Sequence, residues 1–180
     1  MNVAPPSPRR TNLDRRVCVA ANRWGARRAI GIFFGAVSRL GDGVFWYALM
    51  TVIALAGGWH GVQVAVQMVI TGLTALMLYR VLKRWTRRPR PFRTCPGVIA
   101  HIPPLDEFSF PSGHTLQAVA FTTVAVAHYP MLAPFLIGFT ALVGASRVVL
   151  GLHYPSDVLA ATVIGGGLGT LSLWAGHALV

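Results

Sequence analysis

Residues 43–82 read GVFWYALMTVIALAGGWHGVQVAVQMVITGLTALMLYRVL, a stretch of forty positions in which Arg80 is the only charge. As one helix it would run about 60 Å at ~1.5 Å per residue, and twice the hydrocarbon thickness of a bilayer is also about 60 Å. The cluster Gly57-Gly58-Trp59-His60-Gly61 falls near its middle and supplies a turn. The spacing therefore predicts two antiparallel helices, over about 43–58 and 61–82. Both are apolar on every face, which suits lipid rather than water.

Downstream the pattern repeats. Residues 113–128 and 131–152 form a second apolar pair, broken at His128-Tyr129-Pro130, with Arg147 the only charge inside it. A last apolar stretch, 157–179, is rich in Gly and other small residues, which let membrane helices approach closely. Between the pairs, 83–112 reads as a polar loop carrying Lys83, Arg84, Arg87, Arg88, Arg90 and Arg93 with the acids Asp106 and Glu107. Upstream, Ala29–Leu40 is short for a crossing. It reads either as a sixth span or as an interfacial helix behind Arg23, Arg27 and Arg28. The expected fold is all-α, an integral membrane bundle of five to six transmembrane helices over 29–180. A basic, poorly ordered tail precedes it over 1–28; Pro- and Arg-rich, this tail shows no apolar core of a signal peptide.

Composition agrees with a membrane chain: 54% of the 180 residues are hydrophobic and 12% charged, too apolar for disorder and unusually apolar for a soluble domain. The net charge of +11 comes from sixteen Lys and Arg against five acids, and fifteen of those cations are Arg, the side chain that forks onto phosphate oxygens. Such a balance implies a phosphorylated substrate, anionic lipid or nucleic acid. A nucleic-acid binder needs its cations on a folded polar surface, which this chain barely has, so nucleic acid is not an expected partner. Cys18 and Cys95 form no disulfide framework and no zinc-ligand spacing.

Parity places the 83–112 loop and the 147–157 segment on one membrane face, because two helices separate them. With five spans the Arg-rich tail shares this working face, and positive-inside bias puts it in the cytoplasm. With six spans the tail stays cytoplasmic and the working face is external.

Three polar clusters meet on that face. The first is Lys83-Arg84-Trp85-Thr86-Arg87-Arg88-Pro89-Arg90-Pro91, just past a helix end. In the second, Pro111-Ser112-Gly113-His114, a turn opens a helix whose free N–H groups and positive dipole end suit an anion. Ser112 adds a hydroxyl, Gly113 permits close backbone approach, and His114 is a proton donor near neutral pH. The third runs from Ser146-Arg147 to His153 and Asp157. Arg147 near a membrane helix end costs free energy and needs a partner or a job. Pro155 suits a first helical turn, and a carboxylate within reach of an imidazole fixes its tautomer and sharpens the other nitrogen as nucleophile or base. Taken singly, each cluster also fits a structural role: a snorkelling basic stretch, a plain helix start, a structural His–Asp pair. His60, His101, His128 and His177 have no carboxylate at helical spacing and read as interfacial or structural.

Taken together the clusters carry a pattern, K-x6-R-P, then P-S-G-H, then S-R-x5-H-x3-D, without gap or substitution. In this the sequence resembles the type 2 phosphatidic acid phosphatase superfamily, over about residues 28–175 and with motif-level specificity from 83 to 157. The resemblance implies a bacterial inner-membrane lipid phosphatase, similar to undecaprenyl-diphosphate phosphatases, acting on a lipid phosphate or diphosphate in the surrounding membrane lipid. It implies His153 as nucleophile through a phosphohistidine, oriented by Asp157, with His114 as general acid and then base. Lys83, Arg90, Ser112, Gly113 and Arg147 would hold the phosphoryl oxygens. No metal or other cofactor is expected, because the acids besides Asp157 are few and dispersed. Undecaprenyl diphosphate is the favoured substrate, with phosphatidylglycerol phosphate and phosphatidic acid as alternatives. Vanadium-dependent haloperoxidases share the site pattern but are soluble and much longer. A non-enzymatic anionic-lipid-binding protein is the alternative of another class, disfavoured by the intact His114, His153 and Asp157. Oligomeric state stays open at this level.

Overall fold

The computed structural model of the chain describes residues 8–178, and those residues contain helices and connecting turns only. The elements are α1 (Pro8–Gly25), α2 (Arg28–Arg39), α3 (Phe45–Ala56), α4 (Gly58–Thr86), α5 (Pro91–Thr94), α6 (Gly113–His128), α7 (Ala133–Val149) and α8 (Pro155–Ala178). Breaks fall where the chemistry demands them. Arg87 takes a left-handed φ of 45° at the end of α4, and Pro89 forbids continuation. Pro130 stops α6, and Pro155 begins α8.

Four stretches are long and apolar enough to cross a bilayer: Arg28–Ala56, Gly58–Thr94, Pro130–Val149 and Pro155–Gly176. α6, with 16 residues, is shorter, and it runs through the bundle between α4 and α8. The all-helical membrane bundle expected from the sequence is thus what forms, with α6 its short member. Ala29–Leu40 falls almost wholly in α2, which leads on to α3. The two meet at a turn over Leu40–Val44 whose backbone is non-helical at Gly43, a kink between two helices. That turn depends on Gly43, whose φ of 142° an L side chain rarely adopts and whose Cβ would meet the Tyr47 ring at 2.8 Å.

The bundle is apolar both inside and outside. Its interior holds Trp46, Met68, Leu116, Val124, Leu136 and Val143, while large apolar side chains such as Leu55, 81% exposed, cover its outside. A helix surface of that kind is stable only in hydrocarbon. α8 packs most extensively on α6, and small residues permit it. A Cβ on Gly165 would meet the Leu116 carbonyl oxygen at 2.5 Å, and one on Gly169 would meet Thr123 Cβ at 2.7 Å.

The basic tail contains a helix that its composition did not suggest. Residues 1–7 lie outside the described residues, but Pro8–Gly25 is helical rather than poorly ordered. Its inner face is not basic, which the charge count concealed: Cys18 and Asn22 are buried. Asn22 Nδ2 donates to the carbonyls of Ile99 (2.8 Å) and Val149 (3.1 Å), and its Oδ1 accepts from Ile99 N–H (2.9 Å). One side chain thus satisfies a carbonyl at the C-terminus of α7 and pins the 95–110 loop. These bonds put α1 at the same end of the bundle as the C-termini of α4 and α7.

Candidate active site

That end gathers the close of α4, the loop after it, and the starts of α6 and α8. Lys83 sits in the last turn of α4 rather than beyond it. Its Nζ donates to both Asp106 carboxylate oxygens at 2.6 Å and to the Phe108 carbonyl at 3.0 Å. Arg90, buried at the N-cap of α5, donates from Nη2 to Asp106 Oδ1 (2.9 Å), from Nε to the Asp106 carbonyl (3.0 Å) and from Nη1 to the Leu152 carbonyl (2.9 Å). Arg147, on α7 and 2% exposed, has Ser38 Oγ of α2 against its Nη1. Its Nε has no partner, and among the described residues no carboxylate forms an ion pair with it.

His153 lies in the turn between α7 and α8, 1% exposed. Gly151 opens that turn at φ +75°, with the Ile99 carbonyl oxygen 2.3 Å from where a Cβ would stand, so only glycine fits. His153 Nε2 is 3.3 Å from Arg90 Nη1. Its Nδ1 lies 3.6 Å from Oδ2 of Asp157, in the first turn of α8. The same Oδ2 accepts the Tyr154 N–H at 2.9 Å. Burial, followed by the charges of Arg147, Arg90 and Lys83, holds His153 well below its ordinary pKa, so the ring is neutral at pH 7. His114 is also close enough to act on it electrostatically.

His114 follows Ser112 and Gly113 at the start of α6, with its Nε2 bonded to Asp42 Oδ1 from the α2–α3 turn. Ser112 is buried. Its Oγ pairs with Thr115 Oγ1 at 2.9 Å rather than capping a backbone N–H, which leaves the first N–H groups of α6 unclaimed by a side chain. Gly113 faces the Tyr79 ring, 3.5 Å from where a Cβ would be. Asp106 is 39% exposed. Burial pushes its pKa up, but the Lys83 and Arg90 charges outweigh this and hold it below the usual carboxylate range.

All eight residues expected at the site, Lys83, Arg90, Ser112, Gly113, His114, Arg147, His153 and Asp157, stand at this one end of the bundle. Asp106, Asp42 and Ser38 were not foreseen, since each meets its partner across 16 to 109 residues of chain and none belongs to a local motif. Arg88 belongs to the cluster whose structural reading is a snorkelling basic stretch. Instead its Nη1 donates to Asp157 Oδ1 at 2.6 Å and its Nη2 to Asp14 Oδ2 at 3.0 Å. The remaining histidines lie elsewhere: His101 on the Asn22 carbonyl at 3.3 Å, and His60 against His128, ring centroids 5.3 Å apart, at the far end. The His177 side chain lies outside the described residues.

Comparison with known proteins gives this end of the bundle a lineage. The PAP2 superfamily model matches residues 61–179. A lipid A 1-phosphatase of Rhizobium etli is 33% identical over 122 residues, 66% of this chain and 51% of the relative. Phosphatidylglycerophosphatase B of Bacillus subtilis is 33% identical over 137 residues, 70% and 59%. The undecaprenyl-diphosphatase BcrC of B. subtilis is 34% identical over 100 residues, 53% and 49%. The chain thus spans about half to three fifths of the length of these relatives. Among solved structures, LpxE of Aquifex aeolicus superposes with a TM-score of 0.78 at 25% identity, covering 96% of this chain and 99% of that one. A transmembrane PAP2-type phosphatidylglycerolphosphate phosphatase of B. subtilis gives 0.76 at 25% identity, covering 97% and 90%. With the family model matched over most of the chain and the bundle shared from end to end, this membrane protein belongs to the PAP2 superfamily.

Proposed function

We propose that the protein is a membrane phosphatase that removes phosphate from a lipid phosphate or diphosphate, with His153 as the nucleophile. One observation carries the reading: the buried Arg147 guanidinium keeps an unpartnered Nε at the end of the bundle that holds His153, near enough for its charge to favour the neutral imidazole. A buried cation without a counter-charge is costly. An anion docked among Arg147, Arg90, Lys83 and the start of α6 would offset that cost, and a phosphoryl group has the oxygens to do so.

The chemistry then follows from positions. His153 Nε2 attacks phosphorus while its Nδ1 proton turns to Asp157. The bond from phosphorus to the leaving oxygen breaks, and His114 supplies the proton that oxygen needs. Water next attacks the phosphohistidine and gives a proton to His114. The P–N bond breaks, returning its electron pair to Nε2, and inorganic phosphate leaves. Throughout, fixed cations and N–H groups stabilise the equatorial oxygens, which is where most of the rate enhancement of phosphoryl transfer arises.

Within this class the proposed substrate is undecaprenyl diphosphate, the lipid in the name of one relative, hydrolysed in a bacterial cytoplasmic membrane. A panel of undecaprenyl diphosphate, phosphatidylglycerol phosphate, lipid A and phosphatidic acid, presented to the purified protein in detergent, tests both levels. Phosphate release from one lipid at least 10-fold faster than from the others, on the order of 1.4 kcal/mol of discrimination, identifies it. Release from none, under conditions where a PAP2 relative is active, refutes the reading.

A further inference from the structure

Arg88 stands outside the K-x6-R-P register, yet it touches the site at its most buried point. Asp157 is wholly buried, and a carboxylate taken out of water needs a counter-charge. The cation that meets it is Arg88: Nη1 donates to Asp157 Oδ1 at 2.6 Å and to Ser156 Oγ at 2.8 Å. The guanidinium lies over the Tyr154 ring, 4.1 Å from its centroid, a stacking that a lysine reproduces poorly. Nη2 donates to Asp14 Oδ2 of α1 at 3.0 Å. Asp14 in turn accepts from Ser156 N–H at 3.1 Å and from Ser156 Oγ at 2.5 Å. The guanidinium is thereby fixed from three sides, and with it the carboxylate whose other oxygen faces His153 Nδ1 at 3.6 Å.

We propose that Arg88 is a positioning residue, braced by Asp14 of α1, that holds the Asp157 carboxylate charged and aims its Oδ2 at Nδ1 of His153. The proposal rests on the phosphatase reading, with His153 attacking phosphorus. It makes α1 part of the catalytic framework rather than an appendage. Because Arg88 works on the far side of the imidazole from the phosphate, it governs the rate of attack and not the docking of substrate.

The test uses the full chain in detergent, with the lipid phosphate that the wild type turns over fastest. Arg88→Gln should lower kcat by about 10²-fold, as loss of an outer partner of a reactive group commonly does, while KM stays within about twofold. Arg88→Lys should recover part of the loss, and Asp14→Asn should show a smaller loss in the same direction. The decisive arm is the Asp157→Asn background, where Arg88→Gln should cost less than about threefold because its target is gone. Three results would each overturn the proposal: unchanged kcat in Arg88→Gln, a raised KM with kcat intact, or losses that multiply in the double variant. Should Arg88→Gln fail to fold, Arg88→Lys and Asp14→Asn in both backgrounds decide the matter by the same criteria. A wild type that releases no phosphate from any lipid defeats the phosphatase reading itself, a result distinct from all of these.

Discussion

The two ends of the bundle solve the problem of polar groups in a membrane differently. At the end marked by Gly57 and His128, neutral groups close on one another: Gln67 Oε1 meets His128 Nε2 at 3.0 Å, Gln67 Nε2 donates to the Ser172 carbonyl at 2.9 Å, and Thr71 pairs with Ser172 at 2.7 Å. Among the described residues the buried side-chain atom left unpaired there is the Tyr129 hydroxyl, with Trp46 Nε1 another in the apolar core. At the other end Lys83, Arg90, Arg147 and Asp157 are all buried, and the atoms left over are Arg147 Nε and His153 Nδ1. An unpaired neutral hydroxyl costs about 1–3 kcal/mol, and a group carrying charge costs more. A chain keeps such charge in its interior where something else will neutralise it, and under the proposed function that is the oxyanion of the substrate.

Variants break that contrast in a definite order. His153→Ala should lower phosphate release by at least about 10³-fold, the scale on which loss of a covalent nucleophile acts. Because the His153 pKa is depressed, the neutral ring persists below pH 6.5, so the acid limb of kcat/KM should lie below that value; a limb above pH 7 would contradict a neutral nucleophile. Arg147→Ala should cost about 10²–10³-fold in kcat, as removal of a donor to a developing oxyanion does. Asp106→Asn acts in the opposite sense. Asp106 now occupies both Lys83 and Arg90, so removing its charge should lower the inorganic phosphate concentration for half-inhibition by about 3–10-fold, within ~1.4 kcal/mol. At the neutral end, His128→Gln should leave turnover within about twofold, in line with substitutions away from charge networks. A large loss there would erase the distinction between the two ends.

What the sequence disclosed and what it hid divide along the same line. The break at Gly57 was legible because a forty-residue apolar run outlasts one bilayer crossing, and α6 was legible because Ser112 and Pro130 bound it. The site residues were legible where motifs are local, as in Pro111–His114 or His153 with Asp157. Their neutralising partners were not. Asp42 meets His114 across 72 residues and Ser38 meets Arg147 across 109, and nothing in a linear pattern ties such pairs. Arg88 was masked by its neighbours, since six cations crowd residues 83–93 and only the fold tells a guanidinium on Asp157 from one in the headgroups. α1 was masked by its charge: its arginines dominate the count, while Asp14, Cys18 and Asn22 make the contacts.

The most direct test of the central claim is a rapid-quench experiment with lipid substrate labelled with ³²P in the transferred phosphate, followed by peptide mapping under alkaline conditions that preserve phosphohistidine. The account predicts label on the peptide containing His153, formed and lost at rates compatible with turnover. Turnover without any covalent label, or label on a peptide containing His114 instead, would contradict it.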